Sequence, residues 1–248
     1  MALDEAVALE LAQCLGEDLA GDAADEFAVP AASVVPRPAG LDATAAAALW
    51  VAYSTAYGAL VEKAATRPGD HVLITAASSA VGLAAIQVAR QLGAVPLAVT
   101  RSGAKKDALL AAGAEAVIAT DRDDVPEAAH RHTGGAGADT ILDTVMGPGL
   151  ADLSKAAKPG GTLVTAGWLD PRPASFPRNW PLTIIGYASF EHTLDPTVVR
   201  RIAAFLEAGL RTGALRPTVD RVFGLDDIVA AHAYLEEGRQ VGKIVVTV

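Results

Sequence analysis

The chain has 248 residues, 51% of them hydrophobic, and 20 Lys and Arg against 29 Asp and Glu give a formal net charge of −9. That length buries a full α/β core with a smaller appendage. An acidic balance without a Lys/Arg stripe excludes nucleic acid as a partner. The apolar content is largely alanine, and its densest windows are bounded or broken by Asp42, Tyr53, Ser78, Ser79 and Gln87, so no membrane-spanning run is expected. The start, 1–19, is acidic and lacks the basic region of a secretory signal, which predicts a cytoplasmic protein. Cys14 is the only cysteine. It rules out an internal disulfide and a thiolate-rich metal site, and reads as a small apolar side chain.

In chain order, Leu3, Val7, Leu11 and Leu15 predict a helix over 1–19, followed by a short strand at 26–29 and a Pro-rich extended stretch. A long helix is predicted over 43–64, capped by Asp42 or Thr44, and Arg67-Pro-Gly-Asp70 is a turn. Strands then alternate with helices. Strands are predicted at 71–76, 95–100, 116–119, 139–143, 162–166 and 182–187. Helices fall at 80–92, 105–112, 126–132, 150–157 and 196–211. The tail adds a strand at 218–223, a helix at 226–236 and a strand at 243–248. Alternation of this kind, with strands apolar throughout, predicts a doubly wound parallel Rossmann-like sheet covered on both faces.

Val72-Leu-Ile-Thr-Ala-Ala-Ser-Ser-Ala-Val-Gly-Leu-Ala-Ala-Ile-Gln87 runs strand, tight small-residue turn, amphipathic helix. Small residues let a backbone approach a pyrophosphate, which the helix amides and dipole then meet. Ser78, Ser79, Ala80, Val81 and Gly82 are the candidates. Of the G-x-G-x-x-G fingerprint only Gly82 is present, and a turn that caps an ordinary helix accounts for the pattern as well. The next strand ends in Thr100-Arg-Ser-Gly-Ala-Lys-Lys106, where an acidic residue would select NAD. Thr100, Arg101, Ser102 and Lys105, with Lys106 adjacent, suit the 2′-phosphate of NADPH, against the simpler reading of a solvated helix start.

The chain resembles the zinc-independent quinone oxidoreductase and enoyl reductase branch of the medium-chain dehydrogenase/reductase superfamily. The resemblance rests on Thr55-Ala-Tyr-Gly-Ala-Leu60, Pro68-Gly-Asp-His-Val-Leu73, the 76–87 turn and helix, Leu110-Ala-Ala-Gly-Ala114, Asp143-Thr-Val-Met-Gly147, Pro159-Gly-Gly161 and Val241-Gly-Lys-Ile-Val-Val246. It implies NADPH, hydride transfer to a quinone or an activated double bond, and a homodimer paired through Leu182–Tyr187, an apolar strand that would otherwise be a bare edge. Complete members begin with a GroES-like β-barrel, most of which this sequence lacks. The implied organisation is therefore a helix and barrel remnant at 1–40, an NADP-binding domain at 41–215 and a C-terminal remnant at 216–248.

The remaining candidates each carry two readings. Asp143 and the turn to Gly147 lie over the nicotinamide ribose, or Asp143 caps that turn. Gly167 and Trp168 line the nicotinamide pocket, with Asn179 and Trp180 as a further wall, or Trp168 packs in the core. Tyr57 is a proton donor or a helix-packing aromatic. Lys243 lies near cofactor or blunts an edge strand. His192 is the one histidine expected to serve as an acid, or it is simply exposed. His71, His130, His132 and His232 complete a set without metal spacing, and Ser78 and Ser79 lie outside G-x-S-x-G. The leading expectation is an NADPH-dependent reductase of a small-molecule quinone or α,β-unsaturated carbonyl. The alternatives are a non-redox cyclase or isomerase on the same scaffold, and a nucleotide-sensing scaffold.

Overall fold

The structure, a computed structural model, describes Ala6–Val7, residues 35–178 and residues 180–248. Ala6–Val7 form a short strand, β1, antiparallel to the last strand of the chain, where the local spacing predicts a helix; at these two residues tertiary pairing overrides the local pattern. The rest of that expected helix, Cys14, the strand expected at 26–29 and Asn179 lie outside the described residues.

Asp42 opens the first helical stretch, its Oδ1 accepting from the Ala45 amide at 2.7 Å. Helix α1 (Ala43–Ala47) breaks at Ala48–Leu49, and α2 (Trp50–Tyr57) then continues as a π-helical turn, Gly58–Lys63. By length and composition the 43–63 stretch could cross a membrane, but 61% of its apolar window is buried inside the fold.

Six parallel strands follow: β2 (His71–Ile74), β3 (Val95–Thr100), β4 (Ala116–Ala119), β5 (Ala138–Asp143), β6 (Ala157–Thr165) and β7 (Thr183–Gly186). Their order is β4-β3-β2-β5-β6-β7. Between them run α3 (Ala80–Gln91), α4 (Lys106–Ala111), α5 (Val125–His132) and α6 (Leu150–Leu153). After β7 come α7 (Phe190–Thr193) and α8 (Pro196–Thr212). The helix expected over 150–157 is shorter than the spacing suggests: α6 passes into a 3-10 turn, and β6 starts at Ala157.

The unbroken apolar runs of the strands have a direct cause. Val72, Ile74, Leu142 and Val164 face one core with α2, α3 and α8, while Leu73, Ile141 and Leu163 face a second with α5 and α6. Strands buried on both sides have no solvent face to make polar.

The tail, β8 (Val219–Gly224), α9 (Ile228–Glu236) and β9 (Lys243–Thr247), joins β1 in a separate sheet of order β1-β9-β8. Its small core is Ala231, Ile244 and Val246. A single parallel bridge, Ser79 to Gly242, ties this sheet to the turn after β2.

Candidate nucleotide site

Strand order reverses between β2 and β5. In open α/β sheets the crevice at the carboxyl ends of two such strands is where ligands bind. Thr75 and Asp143 meet there: the Thr75 hydroxyl donates to Asp143 Oδ1 at 2.7 Å and accepts from the Thr144 amide at 3.0 Å. Asp143 is 1% exposed and also accepts from the amides of Val145 (3.2 Å) and Met146 (2.8 Å). Of its two readings, capping is the one these bonds display. The carboxylate holds the 144–147 turn, in which Met146 has φ +57, a conformation that costs a side chain energy.

The turn after β2 is equally close-packed. Ala76 stands at φ +43, where the dinucleotide fingerprint uses glycine. A Cβ on Gly82 would lie 2.6 Å from the Ala76 carbonyl oxygen, so only glycine lets α3 come this near β2. Ser79 caps α3, its Oγ accepting from the Gly82 amide at 3.0 Å. That leaves the Ala80 and Val81 amides without an intrahelical partner at the positive end of the helix dipole. A pyrophosphate fits such a cradle.

The cations arrive from the end of β3. Lys105 Nζ donates to Ser78 Oγ (3.1 Å) and to the carbonyls of Gly238 (3.0 Å) and Gln240 (2.9 Å), and Arg101 reaches the same Gly238 carbonyl at 3.4 Å. Burial, then the Arg101 charge, lowers the Lys105 pKa, with Asp220 acting in the opposite sense. The tail loop is pinned by the Gly242 amide on the Ser78 carbonyl (3.0 Å) and the Val241 amide on Asp220 Oδ1 (2.9 Å). Gln240 Oε1 is buried there without a partner. All three ammonium donors are in use, so a phosphate reaching Lys105 must replace a carbonyl. Thr100 is buried, Ser102 Oγ accepts from the Ala104 amide at 3.3 Å, and Lys243 is buried directly after Gly242.

Trp168 follows β6 at the same edge and is 77% exposed, which sets aside core packing. The Leu169 amide bonds the Thr144 carbonyl (3.2 Å) and the Asp170 amide the Val145 carbonyl (2.9 Å), tying this loop to the Asp143 turn. Gly147, at φ +67, has no room for a Cβ beside the Asp170 carboxylate. Arg172 donates to Asp170 through Nε (2.9 Å) and Nη2 (2.6 Å) and holds that carboxyl down at about 2. Trp180 lies elsewhere. Its indole donates to the carbonyl of Ala157 at the opening of β6 (3.1 Å), the opposite end of the sheet from the crevice, so it forms no wall with Trp168.

Asp143 bonds to neither Tyr57 nor His192, whereas Glu62 and Arg201 act on both of those. Tyr57 is buried, edge-on to Phe205 of α8 at 5.0 Å between ring centres; burial, then Glu62, raises its pKa. His192 Nδ1 lies 3.2 Å from the Tyr187 hydroxyl just past β7. Burial, then the nearby Lys63, lowers the imidazole pKa, and burial raises that of Tyr187. Lys63 itself pairs with Glu191 at 2.5 Å. Thr75, Tyr187 and the 238–240 loop are site residues the sequence reading passes over. Thr75 had a signal, a hydroxyl closing an apolar strand. The loop had none, since Lys105 meets it across more than 130 residues.

These features define a doubly wound, Rossmann-like α/β protein. A zinc-binding dehydrogenase family profile matches residues 112–246, more than half of the chain, and the chain belongs to that family, in the quinone oxidoreductase and enoyl reductase branch of the medium-chain dehydrogenase/reductases. It is 35% identical over 222 residues to the spectinabilin polyketide synthase system protein NorB of Streptomyces orinoci, covering 86% of this chain and 10% of that protein. It is 29% identical over 233 residues to a quinone oxidoreductase-like protein 2 homolog of Nematostella vectensis, covering 91% and 64%. The crystal structure of an NAD-dependent alcohol dehydrogenase superposes with a TM-score of 0.75 at 31% identity, covering 89% of this chain and 63% of that one. The chain thus spans less than two thirds of each of these proteins. Among the described residues no group of three or more His, Cys, Asp or Glu is placed to hold a metal ion.

Proposed function

We propose that this protein is an NADPH-dependent oxidoreductase acting on a quinone or on the activated double bond of an α,β-unsaturated carbonyl. The observation that carries the reading is that Lys105 reaches the Ser78 turn and meets Arg101 at the Gly238 carbonyl, at the strand end where NAD-selective sites place an acid. NADPH, when bound, would supply a hydride to the acceptor, the reduction being completed by a proton and leaving NADP⁺.

The chain's own part is positioning. The Ala80 and Val81 amides and the α3 dipole meet the pyrophosphate. Arg101 and Lys105 would hold the 2′-phosphate, for which Lys105 would exchange a loop carbonyl for a charged oxygen, a stronger partner. Asp143, held by Thr75, fixes the 144–147 turn that would lie over the nicotinamide ribose, and Gly167 and Trp168 would line the ring's pocket. His192 and Tyr187 are the titratable pair along the same edge. Among the described residues β7 pairs only with β6, and its other side is the surface through which two copies would pair as a homodimer.

The test is NADPH oxidation followed by absorbance with a panel of quinones and enones. Turnover is expected, and Arg101→Glu is expected to abolish the preference for NADPH over NADH while the circular dichroism spectrum is unchanged. Tight NADPH binding with no acceptor reduced would instead favour a non-redox cyclase or isomerase.

A further inference from the structure

The 238–242 loop of the tail lies across the cations that follow β3, and its oxygens occupy them. The Gly238 carbonyl faces two positive groups at once, Lys105 Nζ at 3.0 Å and Arg101 Nη2 at 3.4 Å, and the Gln240 carbonyl takes a further ammonium proton at 2.9 Å. Neutral dipoles thus stand where two cations converge, a place that an anionic oxygen fills more strongly. Burial and the Arg101 charge lower the Lys105 pKa, as expected of a cation that carbonyls compensate incompletely. Gln240 Oε1 is buried with no partner among the described residues, and an acceptor left unpaired destabilises the state that buries it. Two backbone amides also hold the loop, Val241 on Asp220 Oδ1 (2.9 Å) and Gly242 on the Ser78 carbonyl (3.0 Å). Gly238 at φ +65 and Gly242 at φ +110 bracket the segment and give it the backbone freedom of a hinge at each end. Beyond them the chain is anchored, by α9 on one side and by the Lys243 amide on the Thr218 carbonyl (2.9 Å) on the other.

We propose that this loop is a latch in the seat of the 2′-phosphate: Lys105 and Arg101 let go of Gly238 and Gln240 when a ribose 2′-phosphate arrives, and the 238–242 segment swings off the nucleotide turn. The inference rests on the NADPH reading of this site and deepens it. A dinucleotide with a 2′-hydroxyl brings no charge to Lys105 and leaves the latch shut. Discrimination is therefore set by the loop as well as by the cations, since the phosphate competes with oxygens of the protein itself. Release ends at Lys243. There β9 stays paired with β8, so the tail sheet keeps its fold while its link to the Ser78 turn opens.

Amide-resolved hydrogen exchange of the full chain tests this, free and with NADP⁺, NAD⁺ or adenosine 2′,5′-bisphosphate at occupancies matched by calorimetry. With either 2′-phosphorylated ligand the Val241 and Gly242 amides are expected to exchange about tenfold faster, while the Lys243 amide keeps its rate. With NAD⁺ all three are expected to stay as in the free protein. Two variants read the same link as affinity. Asp220→Asn keeps an acceptor for the Val241 amide and removes the charge, whereas Asp220→Ala removes both, so their difference isolates the hydrogen bond. NADP⁺ is expected to bind about threefold more tightly to Asp220→Ala than to Asp220→Asn, with NAD⁺ alike in the two. Bound NADP⁺ that leaves the Val241 and Gly242 amides unchanged, or slows them, overturns the latch, as does equal or reversed NADP⁺ affinity in the Asp220 pair. A rise shared by Lys243 overturns it too, because it reports loosening of the whole tail sheet. Failure of the NADPH reading looks different: NADP⁺ and NAD⁺ bind equally or not at all, and the latch falls with that reading.

Discussion

Strand β5 carries an aspartate at each end, and the two are built in opposite ways. Asp139, near its start, is compensated by charge: it pairs with Lys158, accepts from the His71 amide at 2.8 Å, and lies 3.8 Å from the His71 ring. Burial alone would raise its pKa, but the bonds from Lys158 and His71 outweigh that and hold it below the usual carboxylate range. Asp143, at the other end, is fully buried and held by neutral donors only, one hydroxyl and two amides. The first is a partly buried staple at the closed end of the sheet. The second spends its hydrogen-bonding capacity on shaping a turn at the open end, where strand order reverses. A salt link suits the end that only has to stay shut, whereas Asp143 shapes its turn at the working end with fixed dipoles.

The contrast breaks first under Asp143→Ala. Removing the acceptor of three buried donors is expected to cost about 3 kcal/mol and lower Tm by roughly 10 °C in calorimetry, whereas Asp139→Ala should cost about 1 kcal/mol or less because Lys158 is half in solvent. Equal losses would mean that the two ends do not differ in kind. Next in size, Lys105→Ala is expected to weaken NADPH binding about tenfold or more while leaving NADH within about twofold, read by calorimetric titration. A third outcome concerns pH. Because Asp139 is held low, its contribution is present above about pH 4 and disappears as pH falls toward its folded value. Urea melts across this acid range should lose about 1 kcal/mol of their pH dependence in Asp139→Asn. The smallest effect belongs to Ala76→Gly, which relieves a left-handed alanine and should raise stability by about 0.5 kcal/mol, visible as a shifted urea midpoint.

Much of the frame was legible beforehand because it is written in local patterns. The six core strands and the helix ending at Gly93 follow from apolar runs and turn residues, and β3 and β4 fall at the predicted bounds. The nucleotide turn and its cations were legible as residue types at the end of a strand. What escaped is non-local. Asp143 reads equally as ligand group or cap until Thr75 is seen beside it, 68 residues away. Nothing in the pattern of the tail says that its carbonyls occupy Lys105. Trp168 and Trp180 look like one wall when read along the chain, but the loop between them carries the second tryptophan to the far end of the sheet.

The central claim is that the cations after β3 hold an adenosine 2′-phosphate, and a side-by-side calorimetric titration of the intact chain with NADPH and NADH tests it most directly. The account predicts that NADPH binds at least about tenfold more tightly, with the advantage shrinking as salt rises. Equal affinities at low salt, or a preference for NADH, would contradict it.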